Sequence, residues 1–363
     1  MKTRTHLEHL PPYTPIEPFE ILSARIGRDP SQIVKLDANE NPYGPLTVVR
    51  EALGKMEFPH IYPDPESRAL RKSLAAFTGV GEEYLLAGSG ADELIDLLMR
   101  VMLEPDDCIL SCPPTFGMYA FDAELNAARY IEVARHTDFS LDMESIRKAV
   151  KTYHPKILFI ASPNNPDGSL LNTKTMDELL SLPTLIVLDE AYIEFAGENL
   201  GANLSRIREV PVCENLIVLR TFSKWAGLAG LRIGYGAFPK WLMPTLWKSK
   251  QPYNVNVAAS VAAQVSLEHV DELKQVVERL KNERARLFLA LQEISFLKPY
   301  PTQSNFILCK VLERDAAELK SWLAQERGIF IRYFNKPGLR DHIRISVGRP
   351  QDTNGLIEAL KSL

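Results

Sequence analysis

The sequence lacks the features that mark membrane, exported or nucleic-acid-binding proteins. No apolar run reaches the roughly 18 residues that a transmembrane helix needs, and the first residues, MKTRTHLEHLPPY, contain no apolar signal core. With 42 Lys and Arg against 46 Asp and Glu, the formal net charge is -4, so no excess of positive charge indicates nucleic acid or an anionic membrane. We expect a soluble protein of the cytoplasm, or of an organelle matrix after removal of a transit peptide.

Cysteine is scarce, with four residues at Cys108, Cys112, Cys213 and Cys309. Cys108 and Cys112 have no second ligand pair at zinc spacing, so the sequence predicts no metal site. We expect all four thiols to be reduced, as is typical of a cytosol-like compartment.

Short apolar runs alternate with longer amphipathic segments from about Tyr84 to Arg220. The runs YLLAG, CILSC, ARYIEV, KILFIAS, TLIVLDE and NLIVLRT predict strands, whereas ADELIDLLMRVML has its apolar residues at helical spacing. Alternation of this kind predicts an α/β fold with a mainly parallel sheet that is flanked by helices.

The pattern changes after about Asn256. A helical stretch from Val257 to Leu291 precedes the strand-like runs SNFILCKV, GIFIRYF and HIRISVG, with further helices between and after them. We therefore predict an N-terminal arm over residues 1–30, a large domain over 31–256 and a smaller α+β C-terminal domain over 257–363. The arm should be extended before FEILSARIG, because it is rich in proline.

Three predicted strands end in polar or reactive side chains. SPNNPDG contributes Asn165, DEAYIEF contributes Asp189 and Tyr192, and TFSK contributes Ser223 and Lys224. An earlier run, YLLAGSGADE, ends in a glycine turn that enters a helix but lacks the third glycine of the dinucleotide fingerprint. Ligands of open α/β sheets bind beyond the carboxyl ends of the strands, so these four ends can form one crevice.

Each feature alone has a purely structural explanation. SPNNPDG is a good turn sequence, Asp189 could cap a helix, and Ser89 or Asp92 could cap the helix after GSG. A lysine at a strand end usually lies in solvent. Only the order of these features, at the ends of successive strands, indicates a shared site.

The motifs SPNNPDG, DEAYIEF and TFSKWAGLAGLRIGYG resemble those of the pyridoxal-phosphate aminotransferases of fold type I, class I/II, and the likeness extends over nearly the whole chain. LDANENPYGP, YPDPESRALRKSLA and HIRISVG are similar to the branch of that family that acts on histidinol phosphate. This resemblance implies transfer of an amino group between L-histidinol phosphate and 2-oxoglutarate, which gives imidazole acetol phosphate and glutamate in histidine biosynthesis. The alternatives are an aromatic or other amino donor, a phosphothreonine decarboxylase, or a regulatory protein that retains the fold.

The resemblance implies pyridoxal 5'-phosphate as cofactor and assigns its chemistry to particular residues. Lys224 would hold the aldehyde through its amine and act as general base and acid. Asp189 would keep the pyridine nitrogen protonated. Tyr192 and Asn165 would donate hydrogen bonds to the phenolate oxygen, and Phe116 would stack on the ring, where many relatives carry tyrosine.

The cofactor phosphate is assigned to two segments. Gly90, Ala91 and Asp92 match the family's helix start, where backbone N–H groups bind an anion. Ser223 and Arg232 match the residues that complete this cup, and arginine forks onto phosphate oxygens.

The remaining assignments concern substrate and partner subunit. Arg344 matches the arginine that binds the substrate carboxylate, and Arg332 matches a second cation for the substrate phosphate. Tyr13 matches a tyrosine that closes over this group, and Asn41 is expected near the substrate. Tyr62 matches a tyrosine that the partner subunit contributes to the cofactor phosphate, which implies a homodimer with shared active sites.

Overall fold

The computed structural model describes residues 3–8, 10 and 17–363. Its helices are α1 (Phe19–Ile26), α2 (Thr47–Gly54), α3 (Arg68–Thr78), α4 (Ala91–Met102), α5 (Met118–Leu125), α6 (Met143–Tyr153), α7 (Thr173–Leu180), α8 (Met243–Ser249), α9 (Val257–Glu268), α10 (Val270–Gln292), α11 (Ala316–Arg327) and α12 (Pro350–Lys361). Its strands are β1 (Val34–Leu36), β2 (Leu85–Gly88), β3 (Cys108–Ser111), β4 (Arg129–Glu132), β5 (Ile157–Ala161), β6 (Leu185–Asp189), β7 (Leu216–Thr221), β8 (Gly234–Ala237), β9 (Leu297–Pro299), β10 (Phe306–Val311), β11 (Ile329–Tyr333) and β12 (His342–Ser346). None of the helices in these ranges is long and apolar enough to cross a membrane.

The larger sheet has seven strands in the order β2-β8-β7-β6-β5-β3-β4. Strands β3 to β7 run parallel to one another, and β8 runs antiparallel to both β2 and β7. The residues of β5, β6 and β7 are all buried, as expected for parallel strands that helices cover on both faces. The predicted fold class is confirmed.

Strand β8 is absent from the sequence prediction because its residues, GYGA, form no apolar run. The glycines have a packing reason. A Cβ on Gly234 would lie 2.6 Å from the backbone nitrogen of Ala91, at the start of α4. The glycine therefore lets β8 pass directly beneath that helix start.

The smaller sheet has five strands in the order β1-β11-β12-β10-β9. Its first strand, Val34–Leu36, pairs in parallel with Ile329–Ile331. This pairing corrects the predicted division of the chain, which places residues 34–36 in the large domain. Three residues are too few to reveal their partner from a hydrophobic pattern.

Helix α9 follows the predicted boundary between residues 256 and 257 but packs beside the large sheet. Ala259, Ala262 and Ala263 of this helix belong to the core beside the large sheet. Helix α10 continues from that core to the core of the smaller sheet, where its Leu287 and Leu291 are buried. The change of core thus falls within α10, and the domain boundary between residues 256 and 257 stays a prediction.

The described residues of the N-terminal arm include a helix and a short turn. Residues 19–26 form α1, whose Leu22 packs with Ala324 and Phe330 of the smaller unit. A short 3-10 turn, Thr5–Leu7, lies beside α5, where His6 Nε2 is 3.3 Å from Leu125 O. Pro11, Pro12 and Pro15 lie outside the described residues.

Candidate active site

The parallel strands bring three of the quoted motifs to one edge of the large sheet. Ala161 pairs with Asp189, and Asp189 with Leu219, so β5, β6 and β7 end side by side. The residues that follow each strand must therefore project beyond the same edge. The predicted convergence of the strand ends is found in the structure.

A buried ion pair holds two of these strand ends together. Arg220, the penultimate residue of β7, donates from Nε to Glu190 Oε2 at 2.9 Å, and both side chains are almost fully buried. Glu190 also accepts from Ser205 Oγ and from the backbone nitrogen of Arg206 at 2.8 Å. A buried pair with its remaining lone pairs satisfied fixes local geometry, and this pair lies one residue from Asp189.

Lys224 lies just past the end of β7 with its amine enclosed by protein. Its Nζ donates to Ala38 O at 3.1 Å and lies 6.0 Å from the ring centroid of Tyr192. Burial, and then the charge of Arg344, lower the pKa of Lys224 to about 8. Near neutral pH a useful fraction of the amine is therefore unprotonated and nucleophilic.

Asp189 is a buried carboxylate with two hydrogen-bond donors. Its Oδ2 accepts from the Tyr119 hydroxyl at 2.7 Å, and its Oδ1 accepts from the backbone nitrogen of Ala191 at 3.0 Å. Burial raises the pKa of Asp189 to about 6, and the two hydrogen bonds oppose that rise. A protonated ring nitrogen beside this carboxylate would favour its charged form.

Tyr192 presents its phenol in the same crevice. The ring packs edge-on against Phe306 with 5.0 Å between centroids, and the hydroxyl oxygen accepts from Asn39 Nδ2 at 3.0 Å. Burial raises the pKa of Tyr192 above its ordinary value, so the hydroxyl keeps its proton and can donate it to an oxygen.

The start of α4 brings together the residues that the sequence predicts for a phosphate site. Gly90 precedes the helix with φ +83°, and a Cβ there would lie 2.7 Å from Arg232 Nη2. Arg232 Nη2 donates to Asp92 Oδ2 at 2.7 Å. Ser223 Oγ lies 2.9 Å from Thr221 Oγ1. Backbone N–H groups, a guanidinium and a hydroxyl fit the needs of a phosphate.

The two predicted substrate arginines face each other across neighbouring strands of the smaller sheet. Arg332 of β11 is paired with Arg344 of β12, and directly opposed residues share one face of a sheet. Arg344 donates from Nη2 to Asp37 O at 2.8 Å and from Nη1 to Asn165 Oδ1. Because the oxygen of this amide accepts from Arg344, its nitrogen is the atom that can donate to a cofactor oxygen.

Asn41 and Tyr62 make other contacts within this chain. Asn41 donates from Nδ2 to Trp225 O at 3.0 Å and accepts at Oδ1 from Tyr43 N at 3.0 Å. Its amide therefore supports the backbone beside Lys224, and its expected position near the substrate stays a prediction. Tyr62 is 79% exposed and stacks on Tyr253 at 4.6 Å, so within one chain it does not contact the phosphate cup.

Other predicted residues are placed as follows. Phe116 is half-buried and meets Tyr119 edge-to-face at 5.6 Å. Trp225, after the lysine, is fully buried and stacks on Phe77 at 5.6 Å, so it is a packing residue. Tyr13 lies outside the described residues, and its role stays a prediction.

Sequence reasoning missed the parts of this site that no motif marks. Asp37 and Ala38 contact Arg344 and Lys224 through their backbone carbonyls, and Asn39 contacts Tyr192 through its side-chain amide. Tyr119 lies on the buried face of α5, where it looks like an ordinary core aromatic. The string LDANENPYGP is distinctive, but nothing in it indicates which atom contacts what.

These residues fit pyridoxal phosphate on chemical grounds. The site offers an amine with a lowered pKa, a buried carboxylate, phenol and amide donors, and an anion cup at a helix start. The fold and this donor set define a pyridoxal-phosphate-dependent aminotransferase.

Comparison with known proteins identifies the family. The family model "Aminotransferase class I and II" matches residues 31–360, and the chain belongs to this family. It is 56% identical over 359 residues to a chloroplastic histidinol-phosphate aminotransferase of Nicotiana tabacum, covering 99% of this chain and 86% of the relative. It is 49% identical over 368 residues to the histidinol-phosphate aminotransferase of Roseiflexus castenholzii, covering 99% and 97%.

A solved structure supports the same conclusion. The histidinol-phosphate aminotransferase of Sinorhizobium meliloti, in complex with pyridoxal-5'-phosphate, superposes with a TM-score of 0.90 at 27% identity, covering 99% of this chain and 97% of that one. The family resemblance and the cofactor that the motifs predict are thereby confirmed.

Proposed function

We propose that the protein transfers the amino group of L-histidinol phosphate to 2-oxoglutarate, giving imidazole acetol phosphate and glutamate. The observation that carries this proposal is the cross-strand pair of Arg332 and Arg344 beside the lysine site. Two adjacent guanidinium groups suit a doubly charged phosphate better than a single carboxylate. The 49–56% identity to proteins named for this activity supports it.

When bound, the cofactor carries the amino group between the two substrates and withdraws electrons from the donor's amino-bearing carbon. The chain supplies the other parts. Lys224 moves a proton at that carbon, and Asp189 keeps the ring nitrogen charged. Tyr192 and Asn165 donate to the ring oxygen. Arg232, Ser223 and the residues at the start of α4, Gly90, Ala91 and Asp92, bind the cofactor phosphate.

The test compares amino donors on the purified, cofactor-loaded protein by following its visible absorbance. Histidinol phosphate and glutamate should each convert the cofactor to its amine form, and phenylalanine and phosphothreonine should do so much more slowly. Faster conversion by phenylalanine would leave the mechanism intact and overturn the substrate. Release of carbon dioxide from phosphothreonine without conversion would instead support the decarboxylase alternative.

We further propose a homodimer in which each subunit contributes Tyr62 to the partner's phosphate cup. Phe58, Ile61, Tyr62 and Tyr253 expose between 44% and 79% of their area, and clustered exposed aromatics are typical of an interface. Mixing refolded Lys224→Ala and Tyr62→Ala subunits tests this arrangement. If the sites are shared, the mixed dimer contains one site that has both Lys224 and Tyr62. That site should bind the cofactor with restored affinity. If each site is built within one chain, the mixture should bind the cofactor as weakly as Tyr62→Ala does.

For the compartment we propose the cytoplasm, or an organelle matrix as in relatives whose names include "chloroplastic". Fractionation of the source cells, with immunodetection of the protein in each fraction, tests this proposal.

A further inference from the structure

A closed set of hydrogen bonds fixes the direction of the Asn39 side-chain amide. The backbone N–H of Asn39 donates to Ser346 Oγ at 2.8 Å, and Ser346 Oγ lies 3.0 Å from Asn39 Oδ1. A backbone N–H can only donate, so the serine oxygen accepts from it and donates its own proton to Oδ1. The other amide atom, Nδ2, therefore faces the Tyr192 hydroxyl at 3.0 Å.

This assignment determines which way the Tyr192 proton points. An amide NH2 group has two donors and no acceptor, so the phenol oxygen must accept from Asn39. Tyr192 is 7% exposed, and bulk water does not compete for its proton. The proton is therefore directed away from Asn39, toward the space beside Lys224, whose amine lies 6.0 Å from the Tyr192 ring centroid.

Asn39 is held in this position at a conformational cost. Its φ is +56°, a left-handed conformation that is unfavourable for a non-glycine residue, although asparagine tolerates it better than most. The residue is 1% exposed, and its carbonyl accepts from Asn305 Nδ2 at 2.9 Å. Bonds on its nitrogen, its carbonyl and its side chain thus place one amide against one phenol.

We propose that Asn39 is a positioning residue that acts through Tyr192, keeping the phenol proton directed at the ring oxygen of the bound cofactor. This inference rests on the proposed function, because it takes Tyr192 as a donor to that oxygen. Among the described residues, the side-chain nitrogen of Asn39 reaches the site through its hydrogen bond to Tyr192.

The proposal is tested with Asn39→Asp and Asn39→Gly, alone and combined with Tyr192→Phe. Aspartate keeps the size of the side chain and tolerates positive φ, but its carboxylate accepts the phenol proton and turns it away from the cofactor. Glycine adopts φ +56° without strain and removes the amide altogether. If either variant fails to fold, the other still tests the proposal.

The readouts are the pH midpoint of the bound cofactor's visible absorption change and the dissociation constant of added pyridoxal phosphate. A donor to the charged ring oxygen lowers this midpoint, so its loss should raise the midpoint by about one to two pH units in Asn39→Asp and by less in Asn39→Gly. Asn39→Asp should also bind pyridoxal phosphate about tenfold more weakly. The charged groups that act on Tyr192 are Lys224, Asp189, Asp92 and Arg344, and these variants leave all four in place.

The combination with Tyr192→Phe separates a positioning role from a structural one. If Asn39 acts through the phenol, Asn39→Gly shifts the midpoint no further once the hydroxyl is gone. Asn39→Asp then shifts it less than in the wild-type background, since only the effect of its added charge remains. An undiminished shift in the Tyr192→Phe background would overturn the proposal, as would a folded Asn39→Asp with the wild-type midpoint. If the wild type shows the pH-dependent band yet does not accept histidinol phosphate, the proposed substrate fails while this inference stands.

Discussion

Arg332 and Arg344 lie opposite each other on antiparallel strands, with the Phe334 ring 5.8 Å from one guanidinium carbon and 5.5 Å from the other. Like charges opposed across a sheet are unfavourable unless an anion lies between them. Arg344 also contacts the segment that supports Lys224, through Asp37 O at 2.8 Å. The pair therefore connects the proposed anion site at the smaller sheet with the segment that Lys224 contacts through Ala38 O.

Arg332→Gln should weaken the use of histidinol phosphate much more than the use of glutamate. A charged hydrogen-bonded contact to phosphate contributes about 1.5–3 kcal/mol, which predicts a loss in kcat/KM of about ten- to a hundredfold for histidinol phosphate. Glutamate, which needs only Arg344 for its α-carboxylate, should lose less than about threefold. Steady-state kinetics with both donors measures this difference.

Arg340→Gln is the matched control, because this arginine lies in the exposed turn between the same two strands. It should leave both donors unchanged. Equal losses for the two donors in Arg332→Gln would show that the residue has no selective role toward the phosphate.

Tyr119→Phe should move the acid side of the activity profile to higher pH. The hydroxyl donates to Asp189 at 2.7 Å, and this hydrogen bond partly opposes the effect of burial, which raises the pKa of Asp189 to about 6. Without the donor that pKa rises further, so the carboxyl keeps its proton to higher pH and no longer balances a charged ring nitrogen. The acid limb of the kcat profile should shift upward by about one unit, and cofactor binding should weaken at about pH 6 more than at about pH 9.

Tyr130→Phe provides the comparison for a lost tyrosine hydroxyl elsewhere in the same sheet. Tyr130 lies on the edge strand β4, and its hydroxyl is hydrogen-bonded to Ser111 Oγ at 2.5 Å. That variant should show the wild-type pH profile. An unshifted acid limb in Tyr119→Phe would mean that the other surroundings of Asp189 determine its pKa.

Much of the fold follows from the sequence because its strands are long apolar runs between amphipathic helices. Strands β5, β6 and β7 are buried on both faces, and such strands carry a continuous apolar signal. Strand β8 has glycines set by the close approach of α4, and β1 is a three-residue strand whose partner, β11, lies near the other end of the chain. These two strands are determined by tertiary contacts, which a local sequence pattern does not contain.

The site residues also divide into those that the sequence predicts and those that it does not. Lys224, Asp189 and Tyr192 stand at strand ends, where topology alone brings residues together. Asn39 and Tyr119 act through single hydrogen bonds over sequence separations of 153 and 70 residues. Asn41 shows the converse, since its motif indicates the right region while its amide is used on the backbone of Trp225 and Tyr43.

Lys224→Ala should abolish both turnover and the covalently bound chromophore, whereas Lys240→Ala, at an exposed lysine, should change neither. In the wild type, the rate at which the cofactor-free protein captures pyridoxal phosphate should rise with pH to a plateau above about 8. This follows because burial and Arg344 lower the pKa of Lys224 to about 8, and only the unprotonated amine attacks the aldehyde.

Arg344→Gln should move that midpoint upward, since it removes the positive charge that lowers the pKa of the amine most. Stopped-flow absorbance over about pH 6 to 10 measures both midpoints. A midpoint near the ordinary lysine value in the wild type, or a downward shift in Arg344→Gln, would contradict this account of the amine.

Gly227→Ala should destabilise the protein, and Gly230→Ala should not, although both lie in the loop after Lys224. Gly227 has φ +71°, and a Cβ there would lie 2.4 Å from the backbone carbon and oxygen of Gly44. Strain and a backbone clash together should cost about 2–4 kcal/mol of unfolding free energy.

Gly230 has no such φ, and no heavy atom of the described residues lies within 4 Å of its added Cβ. Alanine there should be neutral or stabilise by up to about 1 kcal/mol. Denaturant unfolding of the two variants measures the difference. A similar loss in both would mean that the loop tolerates no side chain for reasons other than the contact with Gly44.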